Sequence, residues 1–141
     1  MAEAPAFEQL VFDNRIIAII IRNEFSNEGT EFFTPGDFSQ QLGYIKHKKG
    51  DTIQEHIHVL QQREVFYTLE TLFVKKGKVR VNFFDRDTTF LTNRELNTGD
   101  VILLASGGHG FEFLEETEMI EVKQGPYCSD MDKVRFEGKM P

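Results

Sequence analysis

His56 and His58 are the residues of this 141-residue chain whose types and spacing point most directly to chemistry. They lie two positions apart within residues 52–58, a segment that we predict to be a β-strand, so both imidazoles would leave the same face of a sheet. Neutral imidazole is a preferred ligand for Zn, Cu, Fe and Ni, and such a pair needs only one or two further donors to complete a metal site. A His-x-His pair also occurs on surfaces and in cores without any metal, so the interpretation depends on other residues.

The next donor should be a carboxylate, and Glu70 and Glu64 are the two candidates. Glu70 begins a predicted strand on which Leu72 and Val74 share its face, so its carboxylate would point into an apolar interior. Burying a lone carboxylate is costly, and a cation is one of the few partners that offset the cost. The alternative is that Glu70 lies in solvent at the strand end. Glu64 is nearer to His58 in sequence but lies in a predicted loop.

His109 is the candidate for a third histidine ligand, because it lies between Gly108 and Gly110 where a further strand begins. Glycines on both sides permit unusual backbone angles and a close approach of the chain to a ligand or to another strand. If His109 faces inward, Phe111 and Phe113 face the same way, which would place the imidazole on an aromatic wall.

Short strands must position these side chains, and we predict about ten of them with no helix of convincing length. The predicted strands cover residues 10–12, 15–21, 41–47, 52–58, 70–75, 78–85, 90–96, 101–105, 109–114 and 118–123. Residues 23–37 are predicted to be a connection, and Lys76-Gly77 is predicted to be the turn of a tight hairpin. From about residue 125 the tail is polar and is expected to be irregular. We expect one domain over residues 1–141, with antiparallel closure to hide the sheet edges.

Composition excludes several classes of function. Sixteen Lys and Arg against 23 Asp and Glu give a net charge of −7, which disfavours nucleic acid and anionic membranes as partners. No apolar run is long enough to span a bilayer, and the first residues lack the layout of a signal peptide, so we expect a cytoplasmic protein. A single cysteine, Cys128, excludes an intrachain disulfide and a thiolate zinc cluster.

The segment from Gly50 to Phe113 resembles the two signature motifs of the cupin superfamily. The first motif is a Gly, five residues, His-x-His, a short gap, Glu, six residues and Gly. Gly50, His56, His58, Glu70 and Gly77 match its fixed positions. Eleven residues separate the second histidine from the glutamate, which is longer than the family's usual gap and keeps the other candidate glutamate open.

The second motif is a Gly, five residues, Pro-x-Gly, two residues, His, three residues and Asn. Gly99 and Ala105-Ser106-Gly107 match it with Ala in place of Pro, and His109 comes one residue early. Phe113 occupies the region in which the family has Asn. The second motif is therefore degenerate in this chain.

The resemblance implies an all-β cupin fold, a double-stranded β-helix or jelly-roll barrel, in which three histidines and a glutamate surround a divalent metal. Carried over residue by residue, the ligands would be His56, His58, Glu70 and His109, with Glu64 as the alternative to Glu70. Nitrogen and oxygen donors without thiolate suit Fe, Mn, Ni or Zn and do not choose among them. Because many cupins are dimers, the resemblance also implies a homodimer.

Two classes of function follow from this resemblance. The first is an enzyme whose metal keeps a position open for a small molecule, such as a sugar or sugar nucleotide, in isomerisation, epimerisation or dioxygenation. The second is a non-catalytic module that binds a sugar or another small ligand, with a structural metal or none. An epimerase that uses His and Tyr without metal is a third option, in which Tyr67 or Tyr44 would supply the phenol. The sequence does not decide whether the protein is catalytic.

Overall fold

The structure of the chain is a computed structural model that describes residues 3–141. It divides into two compact units, the first comprising Met1–Phe25 with Thr68–Pro141 and the second comprising Ser26–Tyr67. Within residues 3–141 there is no α-helix, and hence none long and apolar enough to cross a membrane. The prediction of an all-β protein is confirmed.

Ten strands are present in the described part of the chain. In chain order they are β1 (Phe7–Phe12), β2 (Arg15–Ile21), β3 (Gly29–Phe32), β4 (Gly43–Lys46), β5 (Glu70–Lys76), β6 (Lys78–Phe84), β7 (Phe90–Asn97), β8 (Val101–Leu104), β9 (Gly108–Phe113) and β10 (Glu118–Lys123). Strands β3 and β4 form an antiparallel ribbon in the second unit, and the other eight belong to the first.

The first unit contains two antiparallel sheets. One has the strand order β1-β2-β8-β5-β10, and the other has the order β7-β6-β9. Every pair of neighbouring strands in both sheets is antiparallel. Across the residues that the structure describes, hydrogen bonding does not close these strands into a barrel.

One hydrophobic core is shared by the two sheets of the first unit, and it explains most of the strand pattern. In β2 every residue from Ile17 to Ile21 is buried, as the nearly continuous apolar run predicts. In β6, Val79, Val81 and Phe83 alternate inward and are at most 2% exposed. The twelve buried members of the core are Leu10, Ile17, Ala18, Ile20, Leu72, Val74, Val79, Val81, Phe83, Leu96, Ile102 and Leu104.

The predicted hairpin at Lys76-Gly77 is wrong. Strands β5 and β6 are joined by Gly77 alone, but they belong to different sheets and do not pair with each other. Gly77 has a φ of +103°, and a Cβ at this position would collide with the backbone of Glu116 and with Thr117. Only glycine tolerates that backbone conformation in so tight a space, so it turns the chain from one sheet to the other.

The predicted strand at residues 52–58 is also wrong, since residues 51–67 form no strand and are exposed throughout. Its apolar members remain in solvent: Ile53 is 59% exposed and Ile57 is 90% exposed. A strand needs both a hydrogen-bonded neighbour and a face to bury, and an alternating sequence supplies neither. Conversely, β3 forms within residues 23–37, where a connection was predicted, because it pairs with β4.

A buried charge cluster joins the two sheets near the start of β8. Asp100 is 2% exposed, and its carboxylate accepts hydrogen bonds from the backbone N–H groups of Asn23 (2.9 Å) and Asn97 (2.7 Å). It also accepts one from the guanidinium of Arg22, at 3.2 Å. The same guanidinium donates to the backbone carbonyl oxygen of Glu95 on β7. This cluster therefore links β2, β7 and the turn before β8.

We predict that Asp100→Ala lowers the free energy of unfolding by about 3–5 kcal/mol, because it leaves the buried Arg22 guanidinium and two backbone donors without their acceptor. Urea denaturation followed by circular dichroism measures the change. Asp87→Ala, at an exposed turn position, is the control and should alter stability by less than about 0.5 kcal/mol. Equal effects of the two substitutions would contradict a structural role for the cluster.

Candidate functional site

The structure brings together two of the predicted metal ligands, Glu70 and His109. Glu70 is the first residue of β5 in the five-stranded sheet, and His109 lies on β9 in the three-stranded sheet. The His109 Nε2 atom is 3.5 Å from a carboxylate oxygen of Glu70. The side chains are 28% and 18% exposed, respectively, so the pair lies at the border between core and solvent.

Strand register explains why Glu70 points inward. It pairs directly with Leu104 on β8, and it shares its strand face with Leu72 and Val74, which are both 2% exposed. The prediction that these three side chains share a face is confirmed. The sequence therefore places an acid at the end of an apolar row, where its carboxylate needs a polar partner.

Register likewise sets the position of His109. It pairs with the core residue Phe83 of β6, so its imidazole leaves the core face of the smaller sheet. Phe111 shares that face, packs against the core, and has its ring centroid 5.7 Å from that of the imidazole. Phe113 also follows this alternation but is 59% exposed, so the predicted aromatic wall is limited to Phe111.

The His109 imidazole also sets the electrostatics of the pair. Its hydrogen bond to Glu70 holds the pKa of that carboxyl below the ordinary value of 4.5, while partial burial of the carboxyl opposes the shift. Glu70 is therefore an ionised carboxylate at neutral pH. A carboxylate beside an imidazole at the edge of an apolar core can bind a cation, or can accept and donate a proton.

His56 and His58 lie in the second unit, on the exposed irregular segment. Although the predicted strand is absent, the two-residue spacing still brings the imidazoles together, with ring centroids 5.1 Å apart. The Nδ1 atom of His56 donates to the backbone carbonyl oxygen of Gln54 at 2.9 Å. That hydrogen bond selects the tautomer whose Nε2 carries a free lone pair, which is the form that binds a metal.

The remaining candidates also belong to the second unit. Glu64 is exposed on the same irregular segment, and Tyr67, at the end of that segment, is 65% exposed. Tyr44 is half-buried on β4. His47, which is not one of the predicted ligands, lies in the same unit, 3.5 Å from the carboxylate of Asp51, and is 40% exposed.

Within residues 3–141 no group of three or more His, Cys, Asp or Glu side chains is arranged to hold a metal ion. The structure thus groups the predicted ligands as two pairs, one in each unit, and their joint role as metal ligands stays a prediction. Comparison with protein-family models, curated proteins and solved structures finds no match.

Sequence reasoning missed the polar residues that β10 and the tail place near the start of β5. Lys123 pairs directly with Glu70, and Asp132 accepts a hydrogen bond from the hydroxyl of Thr68 at 2.9 Å. Period-2 alternation along β10 would have placed Lys123 on the inner face together with the partly buried Met119. No local signal brings the tail back to Thr68, because that contact spans 64 residues.

We predict that His109→Leu raises the pKa of Glu70 in the metal-free protein, because the hydrogen bond is lost while the burial persists. Carboxyl-carbon NMR titration measures this shift. In the wild type the lowered pKa contributes stability above the ordinary value of 4.5, and this contribution disappears as pH falls through the folded-state pKa. The free energy of unfolding should therefore differ less between neutral and acid pH in the variant than in the wild type. His47→Leu is the control, and an unchanged Glu70 titration in His109→Leu would refute the pairing.

Proposed function

We propose that this chain is a small metal-binding cupin-type protein that acts as an enzyme on a small molecule such as a sugar or sugar nucleotide. The observation that supports it is the Glu70–His109 pair, in which a carboxylate and an imidazole from two facing sheets lie 3.5 Å apart beside an apolar core. Proteins rarely bury a carboxylate without a structural partner or a function for it.

The connectivity of the first unit supports a jelly roll as the finer description of the fold. Along the chain from β5 to β10, every connection except that from β6 to β7 passes from one of the two sheets to the other. Jelly rolls are built in this way, from two antiparallel sheets connected by Greek keys. In the described residues β9 and β10 each end a sheet with an open edge, where a jelly roll has room for further strands.

The donor chemistry of the candidate residues fits a divalent metal. Glu70 offers an ionised carboxylate, and the hydrogen bond to Gln54 leaves the Nε2 atom of His56 available as a ligand. Imidazole and carboxylate together, without thiolate, suit Fe, Mn, Ni or Zn. A bound ion of this kind supplies a Lewis acid or an oxygen-activating centre for isomerisation, epimerisation or dioxygenation.

The residues of the chain would contribute binding and positioning at such a centre. The Glu70 carboxylate and the His109 imidazole would hold the ion at the edge of the core. Phe111 packs against the core beside His109 and shields that side of the imidazole from water. A homodimer located in the cytoplasm is part of the proposal and rests on the resemblance and composition.

We predict that the chain takes up a divalent metal and that Glu70→Gln and His109→Gln each weaken the affinity for that metal by at least about tenfold to a hundredfold. Loss of a residue that only orients a ligand already has an effect of this size, and loss of a ligand should have at least the same effect. His56→Gln and His58→Gln test the other predicted ligands in the same way. Isothermal titration with Mn, Fe, Ni and Zn, together with elemental analysis of the purified protein, measures the effects.

The matched control is His47→Gln, and Glu64→Gln tests the alternative carboxylate ligand. His47→Gln should bind metal as the wild type does, because His47 faces Asp51 and belongs to neither pair. A loss of affinity in Glu64→Gln with none in Glu70→Gln would instead make Glu64 the carboxylate ligand. Finding no metal in any preparation would refute the metal-dependent proposal, and full protein coordination with no exchangeable water would favour the non-catalytic module.

A further inference from the structure

Two lysines lie on the segments that flank Glu70, one on β10 and one on the tail, and neither belongs to the predicted ligand set. Lys123, the last residue of β10, pairs directly with Glu70, so both side chains leave the core face of the five-stranded sheet. Lys133 lies in the irregular tail that follows β10, next to Asp132, whose carboxylate accepts a hydrogen bond from the hydroxyl of Thr68 two residues before Glu70. The Lys123 and Lys133 side chains are 32% and 42% exposed, so their ammonium groups can be reached from solvent.

Neither ammonium group is held tightly by a carboxylate. The Lys123 Nζ atom is 4.0 Å from an oxygen of Glu121, and the Lys133 Nζ atom is 3.9 Å from an oxygen of Asp130. Among the described residues these are the only ion pairs that either lysine makes within 4.0 Å. Both distances exceed the 2.7–2.9 Å of a charge-assisted hydrogen bond, so the donors of both lysines are largely unused by the protein.

The two other nearby carboxylates are already engaged. Glu70 faces His109 at 3.5 Å, and Asp132 accepts the hydroxyl hydrogen bond of Thr68 at 2.9 Å. Hydrogen bonding by these partners is the main cause of the lowered pKa of each carboxyl, and the charges of the two lysines lower both pKa values further. Two cations therefore lie in the field of two carboxylates without contacting either of them.

The tail is anchored on both sides of Lys133. Asp132 is tied to Thr68 just before β5, and the ring of Phe136 packs edge-on against that of Phe84 at the end of β6, with centroids 5.2 Å apart. Lys133 lies between these two anchors. The position of Lys133 near the start of β5 thus depends on contacts of its neighbours rather than on its own side chain.

We propose that Lys123 and Lys133 form an anion-binding subsite beside the Glu70–His109 pair, which takes a carboxylate or phosphate group of the small molecule on which the protein acts. This inference rests on the proposed function and narrows it to an anionic substrate class. The chain carries a net charge of −7, so its overall field repels anions, and a local pair of cations with free donors is needed to hold one.

The test measures binding of inorganic phosphate and of malonate, in separate titrations, by isothermal calorimetry and amide NMR. Lys123→Met and Lys133→Met keep the length of the apolar stem and remove the charge. Each should weaken binding by about tenfold, the loss expected for one hydrogen bond to a charged group. Lys139→Met, an exposed position on the same tail, should bind as the wild type does.

The outcomes separate this inference from the proposed function. Lysine-dependent binding of phosphate, of malonate or of both supports the subsite and names the group that it prefers. The subsite is overturned if a folded Lys133→Met variant, in which only the irregular tail is altered, binds the probes as strongly as the wild type does. It is also overturned if the wild type binds neither probe. Metal affinity is measured on the same samples. A chain that takes up no metal, yet binds anions through both lysines, retains the subsite and loses the metal-dependent function.

Discussion

The apolar contact between the two sheets of the first unit is the interaction on which the candidate site depends. Leu72 and Val74 of β5 and Val81 and Phe83 of β6 belong to one core, although the strands that carry them lie in different sheets. This burial fixes β5 opposite β6, and β9 is held by its pairing with β6. It therefore sets the 3.5 Å distance between the Glu70 carboxylate and the His109 imidazole. A substitution deep in the core would therefore displace the site without touching either of its residues.

Two inward-facing carboxylates lie at opposite ends of the β5–β8 ladder, and their surroundings give them different roles. Glu70 pairs with Leu104 at one end, and the backbone carbonyl of Asp100 accepts from Val74 at the other. The Asp100 carboxylate has three donors and is almost inaccessible, so a ligand cannot reach it. Glu70 retains solvent access and has one close partner, which is what a binding or catalytic carboxylate requires.

Local pattern predicted most of the strands but not their partners. Alternation along β6 and the apolar run of β2 each depend on a few adjacent residues. The burial of β2 and of the inward face of β6 is confirmed, whereas Asn82 on the other face of β6 is buried as well. The prediction of a hairpin at Lys76-Gly77 is wrong because a glycine at this position can form either a hairpin turn or a connection between two sheets. Only residues distant in sequence decide which of the two forms. Residues 52–58 alternate as a strand does, but alternation does not provide a neighbour to pair with. For the site, period 2 predicted the direction of Glu70, whereas the approach of the tail to Thr68 depends on tertiary contacts alone.

Metal and anion binding should be thermodynamically coupled at such a site. Lys123 and Lys133 balance the charges of Glu70 and Asp132, so in the metal-free protein hydrogen bonds from the two ammonium groups, rather than a surplus of positive charge, hold the anion. A divalent ion bound to Glu70 would add two positive charges within a partly desolvated region, where a charge acts more strongly than it does in water. The affinity of the lysine pair for phosphate or carboxylate would then rise. By linkage the anion would strengthen metal binding by the same factor, so the two lysines would also stabilise the metal-bound form whenever the anion is present.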